Sequence, residues 1–309
     1  MAHGLMFHHF HDALHPKGQG AISADELDAM IAHVGRRHIL DADDWLERAL
    51  ANRLNPGDLC VTLDDGLRCQ FDVAWPVLRA HNIRAFWFVY SSVLEGNSAP
   101  LEIYRHFRTT GFADVDEFYA AFFAATAKHH PQRYAQGMDG FDPERYLQDF
   151  PFYSRADRIF RHLRDRVLGP KRYHALMGEM IRQSGLDARS LHDLLWMRPE
   201  HLRTLDEAGQ RIGLHSHTHP TVLAELSPER QEEEYTRNLH HLSGLLAAPP
   251  QVMSHPCNSY NAATLIILRR LGIRGGFRSN LQPVAHPGPF EWPRLDHAIL
   301  RQNMRSGHL

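Results

Sequence analysis

The chain has 309 residues, 43% hydrophobic and 23% charged, enough for one large domain or two small ones with a full core. A formal net charge of −2 leaves no global field to draw in nucleic acid or an anionic membrane surface. The three cysteines, Cys60, Cys69 and Cys257, have no CxxC spacing, which excludes a disulfide framework and a cysteine zinc knuckle.

No apolar run approaches the about 18 residues that cross a bilayer, so stable membrane insertion is not expected. No basic-then-apolar leader opens the chain, and a reducing cytoplasmic location is the expectation. The densest basic cluster, Arg155 to Arg172, is interleaved with Asp157 and Asp165 and reads as a solvated helix face. Histidine is the outlier, with 24 copies, so position and company must single out those that matter.

In chain order, Gly4-Leu5-Met6-Phe7 predicts a strand that runs into His8-His9. Leu59 to Leu63 predicts a second, running into Asp64-Asp65-Gly66, with a helix over Phe71 to Ala80. Ile83 to Tyr90 is a strongly apolar, aromatic strand. Between Gly96 and Arg203 the pattern changes to aromatic-faced helices, such as Val115 to Ala127 and Ile159 to Leu168. The expectation is a helical insertion over 96–204 within a domain made of 1–95 and 205–309, serving as a lid, a substrate-selecting wall or a dimer surface. Arg211 to Leu214 predicts a strand leading to His215, then a helix over Pro228 to Ala247. Gln251-Val252-Met253 leads to Ser254-His255-Pro256, then a helix over Ala262 to Leu271 and a last short strand from Ile273 to Phe277.

Alternating short strands and helices imply a parallel sheet covered by helices. Runs such as Ala85-Phe86-Trp87-Phe88-Val89, apolar on both faces, fit strands buried on both sides. In a βα-barrel, the side chains at strand ends converge on one rim, so the polar strand ends predict a site there. Trp75, Trp87 and Phe88 belong to the helix and strand themselves and are expected in the core rather than as a sugar platform.

Two clusters carry chemistry. Asp64-Asp65 puts two like charges side by side, tolerated in a solvated turn or where a cation or proton is bound. His215-Ser216-His217-Thr218-His219 offers imidazoles at i, i+2 and i+4 after a buried strand, suited to chelating Zn²⁺ unless the loop is simply exposed. A carboxylate with two imidazoles is a typical ligand set of a hydrolytic metal centre. A nucleophilic Cys257 would need a base and an orienting group, and the metal reading already uses the nearby histidines.

Together these segments resemble the polysaccharide deacetylase (NodB-homology, carbohydrate esterase family 4-like) family. Thr62-Leu63-Asp64-Asp65-Gly66 resembles its first motif and His215-Ser216-x-x-His219 its second. Ser254-His255-Pro256-Cys257-Asn258-Ser259-Tyr260-Asn261 looks like the variant third motif of a subset that usually reads Tyr-Pro-Tyr-Gly-Ser-Tyr-Asn. Leu5-Met6-Phe7-His8 is similar to that subset's first strand, and the similarity covers roughly residues 1–95 and 205–300.

The resemblance implies an α/β fold, a distorted (β/α)7-type barrel, and hydrolysis of an N-acetyl group from an amino sugar. Asp65, His215 and His219 would ligate Zn²⁺ or another divalent transition metal, with Asp64 as general base. Ser216 would orient the loop through a hydrogen bond. The family's third motif normally carries an arginine that pairs with the base; residues 254–260 contain none, and Arg294 is the candidate to supply that charge. His297 is the expected catalytic acid, with His8 and His255 as rivals. Tyr260, His8, His255 and Arg294 are expected to face substrate, while His9, His11 and Asp12 either line the mouth or cap the first loop.

A cytoplasmic enzyme would act on a nucleotide-linked, lipid-linked or oligosaccharide substrate in surface-glycan (lipopolysaccharide-type) biosynthesis, with homo-oligomers left open. The alternatives are a catalytically silent carbohydrate-binding protein on this fold, or a hydrolase of O-acyl or non-sugar amide bonds.

Overall fold

Strands and helices alternate along the chain, as a computed structural model describing residues 2–97, 99–148 and 153–306 shows. In order they are β1 (His3–Phe7), α1 (Ala24–Val34), α2 (Ala42–Leu50), β2 (Leu59–Asp64), α3 (Trp75–Ala80), β3 (Phe86–Val89), α4 (Pro100–Thr110), α5 (Val115–His129), α6 (Pro131–Met138) and α7 (Arg155–His162). There follow α8 (Gly169–Ser184), α9 (His192–Leu195), α10 (Pro199–Glu207), β4 (Arg211–Leu214), α11 (Pro228–Ser243), β5 (Val252–Ser254), α12 (Ala262–Arg270), β6 (Gly275–Phe277), β7 (Arg294–Asp296) and α13 (His297–Ser306). The chain divides into two compact units, Met1–Ala99 with His192–Leu309, and Pro100–Leu191. Among the described residues no helix is long and apolar enough to cross a membrane.

The first unit holds all seven strands, every neighbouring pair parallel, in the order β6-β5-β4-β3-β2-β1-β7. Backbone bonds from Gly276 to Pro289 and from Trp292 to Gly276 stitch β6 to the segment before β7, nearly closing the sheet into a barrel surrounded by helices. This is the distorted (β/α)7 architecture. One strand escapes the sequence pattern: the sheet does not end at Phe277 but continues with β7 beside β1. Three residues reading Arg-Leu-Asp after Pro293 contain no apolar run, so only pairing with β1 makes them a strand. The helix expected over 71–80 opens as a π-helical turn, Gln70–Ala74.

Strand periodicity selects which side chains face the barrel interior. Cys60, Phe86, Phe88, Val252 and Phe277 form one buried cluster with Trp45 and Ala42 of α2. Trp45 meets Phe86 edge-on at 6.3 Å and Phe277 at 5.1 Å. Gly213 makes room there: a Cβ on it would lie 2.6 Å from the Phe88 ring and 2.8 Å from the Val252 carbonyl. Trp87, Phe88 and Trp75 are core, as expected from their spacing.

Beside these aromatics, on neighbouring strands in register with Phe86, Phe88 and Phe277, lies a polar group made of Thr62, Asp64 and Ser254 with Arg294, none more than 2% exposed. Arg294 is wholly buried and has an acceptor for each of its five N–H groups. Nη1 donates to Asp64 Oδ1 (2.6 Å) and Thr62 Oγ1 (3.2 Å), Nη2 to Asp64 Oδ2 and Ser254 Oγ (both 2.7 Å), and Nε to the Arg278 carbonyl (2.6 Å). Gly4, its register partner on β1, accommodates the stem, because a Cβ there would lie 3.1 Å from Arg294 Cγ.

In the second unit, Phe118, Tyr119 and Phe122 of α5 pack on Phe160 of α7 and Tyr173 of α8, with ring centroids 4.9–6.2 Å apart. Ser154 and Asp114 cap α7 and α5 through side-chain bonds to Asp157 N and Glu117 N.

Two stability outcomes follow from this packing. Trp45→Ala should cost about 3–5 kcal/mol in urea unfolding, as expected for truncating a buried aromatic that cannot be refilled. Arg294→Met should cost about 3–5 kcal/mol by leaving the Asp64 charge buried without a partner, and adding Asp64→Asn should recover part of that loss. A single-variant loss below about 1 kcal/mol, or no recovery in the double variant, would contradict this account of the pair.

Candidate metal centre and active site

The carboxyl ends of β1, β2, β4, β5 and β7 lead to His8, Asp64-Asp65, His215, Ser254-His255 and Asp296-His297. Asp64 is the last residue of β2, and its carboxylate points into the barrel onto Arg294. Asp65 follows at φ 82°, a left-handed conformation costly for a residue with a Cβ. That turn reverses its side chain toward β4. Met197 N donates to the Gly66 carbonyl (2.9 Å), and Gln70 Nε2 to the carbonyls of His8 and Asp64, which holds the strand ends in place.

His215 and His219 meet Asp65 there. Both Nε2 atoms lie 3.3 Å from Asp65 Oδ1. That oxygen is buried and makes no hydrogen bond. The three side chains present their donor atoms within 4.8 Å of one another. His215 Nδ1 sits 2.9 Å from the Ser254 carbonyl, so it donates there and Nε2 keeps its lone pair for the cluster. A buried anionic oxygen without a hydrogen bond between two imidazole nitrogens is a donor set that fits a divalent transition metal.

Charge sharpens the site. Burial would raise the pKa of Asp65, but His215, His219 and His8 outweigh it and hold the carboxyl far below its usual range. Burial likewise works against Asp64, and Arg294 and then His215 overcome it, so this carboxyl also stays ionised. Burial pushes His215 down, while Asp64 and Asp65 more than compensate and raise it.

The His215–His219 loop is built from two left-handed residues, Ser216 (φ 63°) and His219 (φ 56°). Ser216 Oγ accepts from His219 N (3.1 Å), the loop-orienting bond expected of it. Two residues of α11 that the motifs did not single out hold the rest. Asn238 accepts from His215 N (2.9 Å) and donates to the Val89 carbonyl (3.0 Å). Glu234 accepts from His217 N (2.9 Å), Thr218 N (2.7 Å) and Thr218 Oγ1 (2.6 Å). Their signal was present in the sequence as polar residues at i and i+4 on the face of α11 that the apolar positions predict to be buried. Gln70 and Ser254 carried no such signal.

The residues expected to face substrate separate. His8 is partly exposed, and its Nε2 lies 3.8 Å from Asp64 Oδ2. Burial lowers its pKa against the pull of Asp65 and Asp64. Tyr260 is half-buried and donates to Glu291 Oε1 (2.9 Å). His255 is 1% exposed, stacks on Tyr260 at 4.1 Å and bonds the Phe290 carbonyl through Nε2. Burial above all pushes its pKa down to about 3, so it stays neutral. Arg294 has no exposed surface, being committed to Asp64. His297 stacks on Phe7 (5.9 Å) and its Nε2 lies 2.8 Å from the Gly20 carbonyl. Asp12 accepts from Leu14 N and His15 N, capping the first loop. His11 Nε2 lies 3.8 Å from Glu26 Oε2.

Residues 171–276, which include the His215–His219 loop and the β5 motif, match the family model of polysaccharide deacetylase. None of the curated proteins matches the sequence. Several solved structures share the fold. The deacetylase PplD of Streptococcus pyogenes, solved with acetate, is similar at 15% identity and TM-score 0.56 over 96% of this chain and 91% of that one. A de-N-acetylase of Aggregatibacter actinomycetemcomitans is similar at 13% identity and TM-score 0.54 over 95% and 94%. The BpsB deacetylase domain of Bordetella bronchiseptica is similar at 14% identity and TM-score 0.52 over 95% of each chain. Residues 171–276 thus match the polysaccharide deacetylase model, and the seven-stranded barrel is the fold shared with these solved deacetylases.

Proposed function

We propose that the chain is a divalent-metal-dependent hydrolase that removes an N-acetyl group from an amino sugar. The observation that carries this reading is the convergence of Asp65, His215 and His219 on one buried carboxylate oxygen, next to the Arg294-bound Asp64. Those three side chains would hold the cation, zinc or another divalent transition metal. When bound, it supplies Lewis-acid polarisation of the amide carbonyl and acidifies water at the site.

Asp64 acts as general base. Its carboxylate is ionised and oriented by Arg294 and Ser254, so it can take a proton from the attacking water. Amide cleavage also needs an acid, since an amine leaves only once protonated. We assign that role to His8 rather than His297. His8 Nε2 lies near Asp64 and reaches the open side of the site, whereas His297 Nε2 is engaged by the Gly20 carbonyl. Tyr260, oriented by Glu291, would contact the sugar. His255 and Arg294 act as buried supports behind it.

The silent-binding alternative rests on the arginine absent from residues 254–260 and on an unassigned acid; Arg294 contacts Asp64 from β7, which answers the first. The substrate class we propose is an N-acetylated nucleotide-linked, lipid-linked or oligosaccharide amino sugar of surface-glycan synthesis, met in the cytoplasm.

Metal-loaded protein given a panel of nucleotide-linked N-acetylhexosamines and N-acetylglucosamine oligomers should release acetate and free amine in equal amounts. Asp65→Ala should lose the ion held with His215 and His219, and Asp64→Asn should keep it while losing roughly 10²–10⁴ in rate. Acetate without new amine would reassign the bond to an O-acetyl ester, and neither product from any substrate would overturn the reading. For the acid, His8→Gln should lower kcat on amides by roughly 10²–10⁴ but much less on 4-nitrophenyl acetate, whose leaving group needs no proton. His297→Gln should stay within a few-fold of the parent on both substrates; the opposite pattern would return the acid role to His297.

A further inference from the structure

His217 lies between two histidines of the candidate metal centre but faces the other way. It is 3% exposed, with Nδ1 3.1 Å from Ser91 Oγ and Nε2 3.6 Å from Glu95 Oε2. Glu95 ends the 3₁₀ turn after β3, and its other oxygen lies 3.1 Å from Nε2 of His241, in the last turn of α11. The two imidazoles meet edge to face at 5.2 Å and 74°. Donor atoms of all three residues lie within 4.8 Å of one another.

We propose that Glu95, His217 and His241 form a second divalent-metal site, taking a borderline transition ion such as Zn²⁺. The donor set is one carboxylate and two imidazoles, the set that such ions prefer over magnesium or calcium. Ligands about 2 Å from a tetrahedral ion stand roughly 3.3 Å apart; Glu95 Oε1 is 3.1 Å from His241 Nε2 and Glu95 Oε2 is 3.6 Å from His217 Nε2, so the carboxylate reaches both rings, one oxygen to each. With Nδ1 of His217 donating to Ser91, its Nε2 keeps a lone pair toward Glu95. Nε2 of His241, 3.1 Å from Glu95, is the nitrogen that this ring offers to the ion.

A plain ionic cluster accounts for the arrangement less well. Arg237 Nη2 already lies 3.4 Å from Glu95 Oε2, so two charged imidazoles would put three cations around one carboxylate. With neutral imidazoles Glu95 and Arg237 balance each other, and an ion would take the place of Arg237 beside the carboxylate. Arg237 is 47% exposed at the side chain and can turn into solvent as the ion enters. The site would then clamp the end of β3, the His215–His219 loop and α11 together from behind. It shares no ligand with Asp65, His215 and His219, and stands whether or not the deacetylase reading holds.

The test is Zn²⁺ titration of the metal-stripped full chain by calorimetry, with metal counted after desalting. Parent protein should bind two ions, Asp65→Ala one, Glu95→Gln one, His241→Ala one, and Asp65→Ala/Glu95→Gln none. Co²⁺ loaded into Asp65→Ala should give visible d–d absorption that Glu95→Gln abolishes in that background. Arg237→Ala should tighten the second site several-fold by removing the competing guanidinium. Glu95 is on the surface, so Glu95→Gln should melt at the parent temperature in metal-free buffer and reports on ligation rather than folding. No ion bound by Asp65→Ala, or an ion in that background that survives both Glu95→Gln and His241→Ala, would overturn the proposal, whereas a single parent ion kept by Asp65→Ala and lost in Glu95→Gln would overturn the Asp65 site instead.

Discussion

The pairing of Arg294 with Asp64 is the interaction on which the rest of the barrel depends. Both charges are withdrawn from water, where an unpaired carboxylate or guanidinium would cost several kcal/mol. The cost is contained because the guanidinium has five donors and five acceptors, two of them on the carboxylate in a parallel fork. Those acceptors come from β2, β5 and the chain just after β6, while Arg294 itself sits on β7. One side chain therefore ties together the two edges of a sheet that backbone pairing leaves barely closed, and it does so directly beneath the candidate site.

That position links stability to chemistry. The guanidinium carbon lies 5.8 and 5.9 Å from the ring centroids of Phe88 and Phe277, so the charge also rests against the aromatic cluster. Asp64 is consequently ionised and unable to rotate, while Asp65, one residue on, is turned by its left-handed backbone to face β4. Adjacent carboxylates thereby avoid competing for one partner: the first takes an arginine, the second two histidines. Two like charges in sequence become two differently held groups.

The loop from His215 to His219 is ordered by α11 as well as by its own Ser216. Glu234 and Asn238 satisfy its amides from one helix face, and this lets Ser216 and His219 persist at positive φ. Alternation along the loop then sends His215 and His219 to one side and His217 to the other, toward Glu95 and His241.

Much of this was legible in the sequence. Apolar runs on both faces located six of the seven strands, because burial on both sides of a parallel sheet leaves a compositional trace. Asp64, Asp65, His215 and His219 stood out because like charges and clustered imidazoles at strand ends are costly without a shared purpose. What the sequence could not determine was anything that depends on distant segments meeting. β7 has no apolar pattern, and its arginine lies 230 residues from the aspartate it neutralises. His8 and His297 both follow strands that pair with each other, yet only the closed barrel brings one beside Asp64 and turns the other toward Gly20. Local chemistry names the groups a site can use; the register and closure of the sheet decide which of them meet.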